Sequence, residues 1–260
     1  MNNLQARRRA IRHLLNEREP QDAMAAYYAF HHADDKTSMF LSPADVEANP
    51  VTPADGYVAL SRTGIDLFRP LVTMRLPIDH DPRAGQSAVD LIDRVFTPGQ
   101  PVILSIPARY RPLIDALFDV QTEELLRLYV LDPARFEPII NVLVTRSIGP
   151  GGLPRYSIRS SQNGEEEIVA TASLNWQSPR FGEIAVNTHP RYRRQGRGRS
   201  VVAALSSYLL DSGRTPLYVV SDDNHASIAL AESVGFADSG AREYLLQATL
   251  KERAEGVKKA

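Results

Sequence analysis

The segment from Phe181 to Leu210 constrains the fold of this chain more than any other. Phe181–Thr188 reads as a strand. Gly198–Leu210 reads as an amphipathic helix, with Val201, Leu205, Tyr208 and Leu209 at i, i+4, i+7 and i+8. Ser212-Gly213 ends it. Between strand and helix lies Thr188-His189-Pro190-Arg191-Tyr192-Arg193-Arg194-Gln195-Gly196-Arg197-Gly198-Arg199, in which five of the nine residues from Arg191 to Arg199 are arginine. No acid lies between Glu183 and Asp211. The first amides of a helix lack intrahelical partners and carry the positive end of its dipole. Glycines let a bulky anion approach the backbone, so this order is built to cradle a phosphate or pyrophosphate. Neither G-x-G-x-x-G nor G-x-x-x-x-G-K-[ST] is present; the pattern is R-x-x-G-x-G, from Arg193 to Gly198. Read alone, it also fits a solvated basic turn or a nucleic-acid contact.

The flanking sequence reads as α/β throughout. Leu4 to about Phe30 is helix-like, interrupted near Pro20, and Arg7–Arg9 reads as a solvated helix face. Strands are expected at Gly56–Leu60, Leu67–Arg75, Pro101–Ile106 and Leu125–Leu131, and helices at Ala88–Phe96 and Tyr110–Phe118. After a soft boundary near Asp132–Pro138 come expected strands at Ile139–Arg146, Arg155–Arg159 and Glu167–Leu174, the last two joined by a turn at Asn163-Gly164. Leu217–Val220 reads as a short buried strand, Asn224–Val234 as a helix closed by Gly235, and Glu243–Leu250 as a final strand; the basic tail 251–260 is expected to fray. Strands alternating with helices require a sheet packed by helices. No internal sequence repeat stands out.

Composition narrows the chemistry. With no cysteine among 260 residues there is no disulfide, thiolate metal site or cysteine nucleophile. Residues 1–150 carry 16 Lys/Arg against 19 Asp/Glu, net −3; residues 151–260 carry 14 against 12, net +2; together they give the formal −1. A near-neutral chain offers no general reason to bind nucleic acid or an anionic membrane. No apolar run is long enough for a membrane span and no secretory signal is legible, so a soluble cytoplasmic protein is expected. His31-His32 with Asp34-Asp35 mimics a metal cluster, but adjacent histidines on a helix face apart, and no metal site is expected. His189 and His225 read as solvent-facing, Trp176 as core, and G-x-S-x-G is absent.

Twenty-six residues after Gly198 begins Asn224-His225-Ala226-Ser227-Ile228-Ala229-Leu230-Ala231-Glu232-Ser233-Val234-Gly235-Phe236. The combination of T-x-P-x-Y-R at Thr188–Arg193, R-x-x-G-x-G, helix, short strand, N-x-x-S and a closing Gly-Phe resembles the GNAT superfamily of N-acetyltransferases. The N-x-x-S-x-x-L-A-E segment looks most like the branch of glycine N-acyltransferase-like proteins. The resemblance covers residues 167–240 most closely and extends over 139–250; for 1–138 it is architectural. It implies a C-terminal acyl-CoA N-acyltransferase fold with a mixed, splayed central sheet over 139–250, preceded by a second α/β domain over 1–138 on the acceptor side, and followed by the tail 251–260. It also implies acetyl-CoA or another acyl-CoA as co-substrate and an amine or amino acid as acceptor. Carried over residue by residue, the amides of Arg194, Gln195, Gly196, Arg197, Gly198 and Arg199, with Arg193, would hold the CoA pyrophosphate. The main chain of Ala185, Val186, Asn187 and Thr188 would pair with pantetheine, the Val186 amide would face the thioester carbonyl, and Asn224 and Ser227 would border the arm and the sulfur.

Direct transfer needs a free amine near the thioester carbon, an oxyanion donor and a proton for the thiolate. Glu183 is the candidate base, with a solvated charge at a strand start as the alternative; Asp222 and Asp223 read rather as turn and cap residues. Where many members of the superfamily place a tyrosine as acid, this chain has Ala231. Ser227, Tyr244 or solvent would then protonate the thiolate. Ala231 also keeps a rival reading open, a non-catalytic acyl-CoA sensor, and Asn224 fits a simple helix cap as well.

Overall fold

The structure is a computed structural model that describes residues 4–48, 51–64, 66–81, 83–162 and 165–252. It divides into two units, Met1–Leu125 with Glu243–Ala260, and Leu126–Arg242.

The first unit opens with α1 (Leu4–Ala10) and α2 (Ala23–Ala26), joined by isolated helical turns, so the helix-like stretch expected from Leu4 to Phe30 breaks already after Ala10 as well as near Pro20. Pro20 and local bonds explain the break: the Asp22 carboxylate accepts from the Asn16 amide at 2.8 Å, and Asn16 Oδ1 from the Arg18 amide at 3.1 Å. Side chains that bond nearby backbone compete with the helix ladder. The arginine triplet is not a uniformly solvated face. Arg8 is buried, with its guanidinium on Asp34 Oδ1 (2.5 Å) and on the Ala29 and His32 carbonyls (2.8 and 2.6 Å), and Arg7 pairs with Glu47. Then follow β1 (Thr37–Ser42), α3 (Ala44–Ala48), β2 (Gly56–Ser61), β3 (Leu71–Arg75), α4 (Gly85–Val95), β4 (Pro101–Pro107), α5 (Arg111–Leu117) and the start of β5 (Phe118–Leu131).

The sequence reading does not anticipate β1, and β3 begins four residues later than expected. Asp66 Oδ1 accepts from the amides of Phe68 and Arg69, both at 2.8 Å, which makes a turn and leaves Leu67 and Phe68 86% and 90% exposed. Within this unit the strands run in the order β1-β2-β3-β4-β11-β5, where β11 (Phe236–Leu250) is the last strand among the described residues and supplies residues 243–250. β3 lies parallel to β4, but only over Leu71–Thr73 against Ile103–Ser105, and β4 pairs antiparallel with β11 from Glu243↔Pro107 to Thr249↔Pro101. Lys251, expected to fray, donates its amide to the Leu117 carbonyl (2.9 Å) and its ammonium to that of Asp115 (2.6 Å); residues 253–260 lie outside the described residues.

The second unit takes residues 126–131 of β5, then β6 (Val144–Ile148), β7 (Pro154–Gln162), β8 (Glu165–Gln177), β9 (Phe181–Thr188), α6 (Arg197–Asp211), β10 (Thr215–Ser221), α7 (His225–Val234) and the first part of β11. The strand expected from Ile139 starts only at Val144, because Asn141 Oδ1 accepts from the Leu143 amide (3.0 Å) and folds a turn; Ile140 and Val142 stand 94% and 93% exposed. Strand order is β11-β5-β10-β9-β8-β7-β6. β7 and β8 pair antiparallel out to Gln162↔Glu165, and the expected Asn163-Gly164 turn falls outside the described residues. α6 buries Val201, Val202, Ala203, Leu205 and Leu209 completely, against Ile184 of β9 and Tyr218 and Val220 of β10. Each of these valine and leucine side chains contributes about 1.5–3 kcal/mol of burial.

The sheet of this unit is mixed, and its two parallel strands part. β9 pairs with β10 only over Phe181–Glu183 against Thr215–Leu217. β10 continues to Ser221 along β5, while β9 continues to Thr188 along β8. The main chain of β9 from Ile184 onward therefore turns one row of hydrogen-bonding groups toward a gap rather than toward a strand. This is the splayed sheet expected from the sequence.

Candidate functional site

The last four residues of β9 are Ala185, Val186, Asn187 and Thr188. On one side they meet Ser173, Ala172, Thr171 and Ala170 of β8; on the other they lie beyond the point where β10 stops pairing. The Val186 amide thus sits three residues past the last β9–β10 rung. Thr188 leads into a single helical turn, Pro190–Tyr192, whose first free amide, Arg191 N, is capped by His189 Nδ1 at 3.3 Å. The other ring nitrogen of His189 lies 3.3 Å from Glu167.

The loop that follows is shaped by two unusual backbones. Arg194 adopts φ 58° and Gly196 φ 73°, both left-handed. Gly196 is the residue before α6, and no side chain caps that helix. Among the described residues no backbone acceptor meets the amides from Arg194 to Arg199. A Cβ on Gly196 would meet nothing within 4 Å, so the space before the helix is open. A Cβ on Gly198 would stand 2.9 Å from Thr188 Oγ1 and 3.4 Å from Leu230 Cδ2, so this glycine sets how closely α6 approaches the end of β9. Some of the arginine side chains are already engaged: Arg193 Nε donates to the Thr188 carbonyl at 3.3 Å, and the Arg197 guanidinium lies over the Tyr192 ring at 4.6 Å. Gln195 Nε2 donates to the Arg191 carbonyl at 3.2 Å. Arg194 and Arg199 are exposed. A run of unpaired amides at a helix start, with open space in front and arginines around it, fits a pyrophosphate.

Glu183 occupies the rung at which the two parallel strands part, opposite Leu217 of β10 and Trp176 of β8. It is 7% exposed, so the alternative of a solvated charge fails. Burial pushes its carboxyl above the ordinary carboxylate range, and hydrogen bonds from Asn175 and Trp176 pull the other way. Asn175 is the extra residue of a β-bulge between Leu174 and Trp176, and its Nδ2 reaches Glu183 Oε1 at 2.7 Å. The bulge aims an exposed amide at a buried carboxylate. Trp176 itself is 2% exposed, as the core reading expected.

Asn224 caps α7: its Oδ1 accepts from the Ser227 amide at 3.1 Å. Ser227 is half-buried, and its hydroxyl lies 2.7 Å from that of Tyr218 on β10. Burial pushes the Tyr218 phenol up, with the Ser227 hydrogen bond opposing. Tyr218 went unnoticed in the sequence; the available signal was a tyrosine in a short buried strand, whose hydroxyl must find a partner. Asp222 pairs with Arg127, which holds its carboxyl below the usual range, and Asp223 accepts from Ser221 Oγ at 2.7 Å, so both serve the turn. Ala231, at the position of the missing tyrosine, is buried in the core. Tyr244 belongs to the first unit, opposite Ile106 of β4 with Arg111 over its ring at 5.6 Å. His31 bonds Glu17 (2.7 Å) and His32 bonds Thr37 (2.8 Å), so the pair diverges.

Residues 154–236 match the model of the acetyltransferase (GNAT) family, which covers most of the second unit. No curated protein matches the chain. Solved structures share the fold at low identity. A tandem GNAT protein from the clavulanic acid biosynthesis pathway superposes with a TM-score of 0.59 at 11% identity, over 97% of this chain and 95% of that one. A Drosophila protein gives 0.61 at 13% identity, over 83% and 80%. A GCN5-related N-acetyltransferase from Sphaerobacter thermophilus gives 0.53 at 12% identity, over 88% and 85%. The chain has a GNAT fold.

Proposed function

We propose that the protein is an N-acyltransferase that moves an acyl group, acetyl in the simplest case, from acyl-CoA to the amine of a small acceptor. The observation that carries this reading is the conjunction of the open β9 edge past Glu183 with the uncapped, glycine-lined start of α6. The amides of Arg194 to Arg199 would hold the pyrophosphate, and the free edge of β9 from Ala185 to Thr188 would pair with the amides of the pantetheine arm. Acetyl-CoA supplies the activated thioester. The Val186 amide would then donate to the oxygen on which charge develops.

In the transfer itself the acceptor nitrogen bonds to the thioester carbon and the carbon–sulfur bond breaks, with its electron pair leaving on sulfur. Glu183 would take the proton lost by the nitrogen, directly or through water that enters at Asn175. A carboxyl raised by burial is a stronger base than an exposed one, which suits it to an amine whose own pKa lies near 10. The Ser227 hydroxyl, held by Tyr218 at 2.7 Å, would give its proton to the thiolate and regain one from solvent. This hydroxyl pair stands in for the absent tyrosine at Ala231.

Calorimetry with acetyl-CoA and with CoA tests the first half of the reading. Saturable binding is expected, and roughly tenfold weaker binding for Arg194→Glu and for a bulky replacement of Gly196, a change of about 1.4 kcal/mol. No binding at millimolar ligand would overturn the cofactor assignment. Release of free thiol in the presence of an amine panel tests the second half; tight binding without turnover would favour a sensor.

A further inference from the structure

A pocket of about 260 Å³ opens on the strands of the second unit, lined in part by Arg155, Val169, Ala170, Thr171, Asn187 and His189. We propose that it recognises the carboxylate of the acceptor, so that the acceptor is an amino acid or a similarly small amine bearing a carboxylate, held by Arg155. This inference rests on the acyltransfer reading and names the substrate class of that same site.

The register places the pocket. Ser157, Thr171 and Asn187 lie side by side across β7, β8 and β9, and Arg155, Ser173 and Ala185 form the next row two residues along. Side chains alternate along a strand, so Asn187 and Ala185 share a face with Glu183. The opposite face of β9 is the one covered by α6, since a Cβ on Gly182 would stand 2.6 Å from Leu209 Cδ2. The pocket floor and the candidate base therefore lie on the same side of the sheet, away from the helix whose start would hold the pyrophosphate. An acceptor entering there meets the β9 gap from the side that the cofactor loop leaves free.

The charge selects the ligand. Arg155 is half-buried, and its Nε donates to Thr171 Oγ1 at 3.0 Å; Ser157 Oγ braces the same threonine at 3.3 Å. Among the described residues it makes no ion pair, whereas the buried arginines, Arg8 and Arg75, each sit on an aspartate. Among the described residues no acid lines the pocket, and the imidazole of His189 faces Glu167. A guanidinium fixed through Nε and otherwise unneutralised presents its remaining N–H groups as a fork, which matches a carboxylate. The volume is below the roughly 300–1,000 Å³ of drug-sized sites, which suits a molecule of amino-acid size. β7 and β9 are about 10 Å apart, two strand spacings of roughly 4.8 Å. The arginine side chain and the length of an α-amino acid together span that distance, which leaves the amine over β9.

Binding of the product class tests the pocket without requiring turnover. A panel of N-acetyl amino acids, with the matching N-acetyl amino amides, is titrated calorimetrically into the full-length protein. At least one acid is expected to bind, and to bind better than its amide. Arg155→Gln should weaken it roughly ten- to hundredfold, as expected for a hydrogen-bonded charge. Arg155→Lys should restore only part of the loss, while affinity for CoA stays unchanged in both variants. Preference for the amides, no binding by any member of the panel, or equal binding by Arg155→Gln would overturn the proposal. So would a parallel loss of CoA affinity, which would give the pocket to a phosphate of the cofactor. A protein that binds these acids through Arg155 yet releases no thiol from acetyl-CoA would keep the pocket and remove the transfer reading instead.

Discussion

Gly196 and Gly198, two residues apart, do different work. Gly196 needs a left-handed backbone but has open space around it, so Gly196→Ala should cost about 1–2 kcal/mol of conformational strain and no packing. Gly198 has an ordinary helical backbone but no room, so Gly198→Ala must push the start of α6 away from Thr188 and Leu230, with an expected loss of about 1–3 kcal/mol. Urea unfolding of both variants, followed by CoA titration, checks the contrast: the cofactor affinity of the second should fall more than its stability explains. Glu183 makes a second prediction at this scale. Its folded pKa lies above the unfolded value, so the stability it contributes is present in full below the unfolded pKa and is lost as pH rises through the folded one. Glu183→Gln should therefore gain stability relative to the parent between about pH 4, near the unfolded carboxylate value, and neutral pH. Thermal unfolding across that range that moves the other way would mean that Asn175 and Trp176 outweigh burial. The basic loop was legible in the sequence because its residues are consecutive. Arg155 and Tyr218 were not, because what matters about them is a threonine sixteen residues away and a serine across a turn.

At the scale of elements, the helices of the second unit follow their sequence signals closely. α7 begins at an asparagine cap and ends at Gly235 with φ 108°, where a Cβ would stand 2.9 Å from the Arg135 main chain. Asn224→Ala should cost about 1 kcal/mol, and it should also loosen the Ser227 hydroxyl; a stability loss with unchanged turnover would confine Asn224 to capping. The strand starts at Leu71 and Val144 were misread because Asp66 and Asn141 tie neighbouring amides into turns, a bond that apolar periodicity does not register. The β3–α4 crossing of the first unit repeats the β9–α6 arrangement with different chemistry. Its parallel rungs also stop after three, but there the Leu76 amide donates to the Tyr110 hydroxyl at 2.9 Å, and Tyr110 in turn bonds Asp79. Asp79 and Asp81 stand in a loop whose counterpart carries arginines. An edge already met by a tyrosine, beside two acids, is poorly suited to a pyrophosphate. One CoA per chain is expected, and a calorimetric stoichiometry of two would refute this.

The chain as a whole is threaded through its two units twice. β5 ends the first unit and gives residues 126–131 to the second, where Leu126–Val130 pair with β10; β11 closes the second unit and gives residues 243–250 to the first. A fragment of residues 139–250 would leave β10 without its antiparallel neighbour. It should melt without cooperativity by circular dichroism, whereas residues 126–242 keep every strand of their unit and should unfold as one transition. Alternating strands and helices announced the fold class, but no turn marks the point where a strand changes units, because β5 stays extended through Leu125–Leu126 and β11 through Arg242–Glu243. The same threading fixes an order of events at the ribosome. Ser105 and Glu243 meet across 138 residues of chain, so the first unit cannot close when its own helices have emerged; it waits until the chain has been made through Glu243. Until then the edge of β4 stands bare on every nascent chain, exposed to its neighbours on the same messenger.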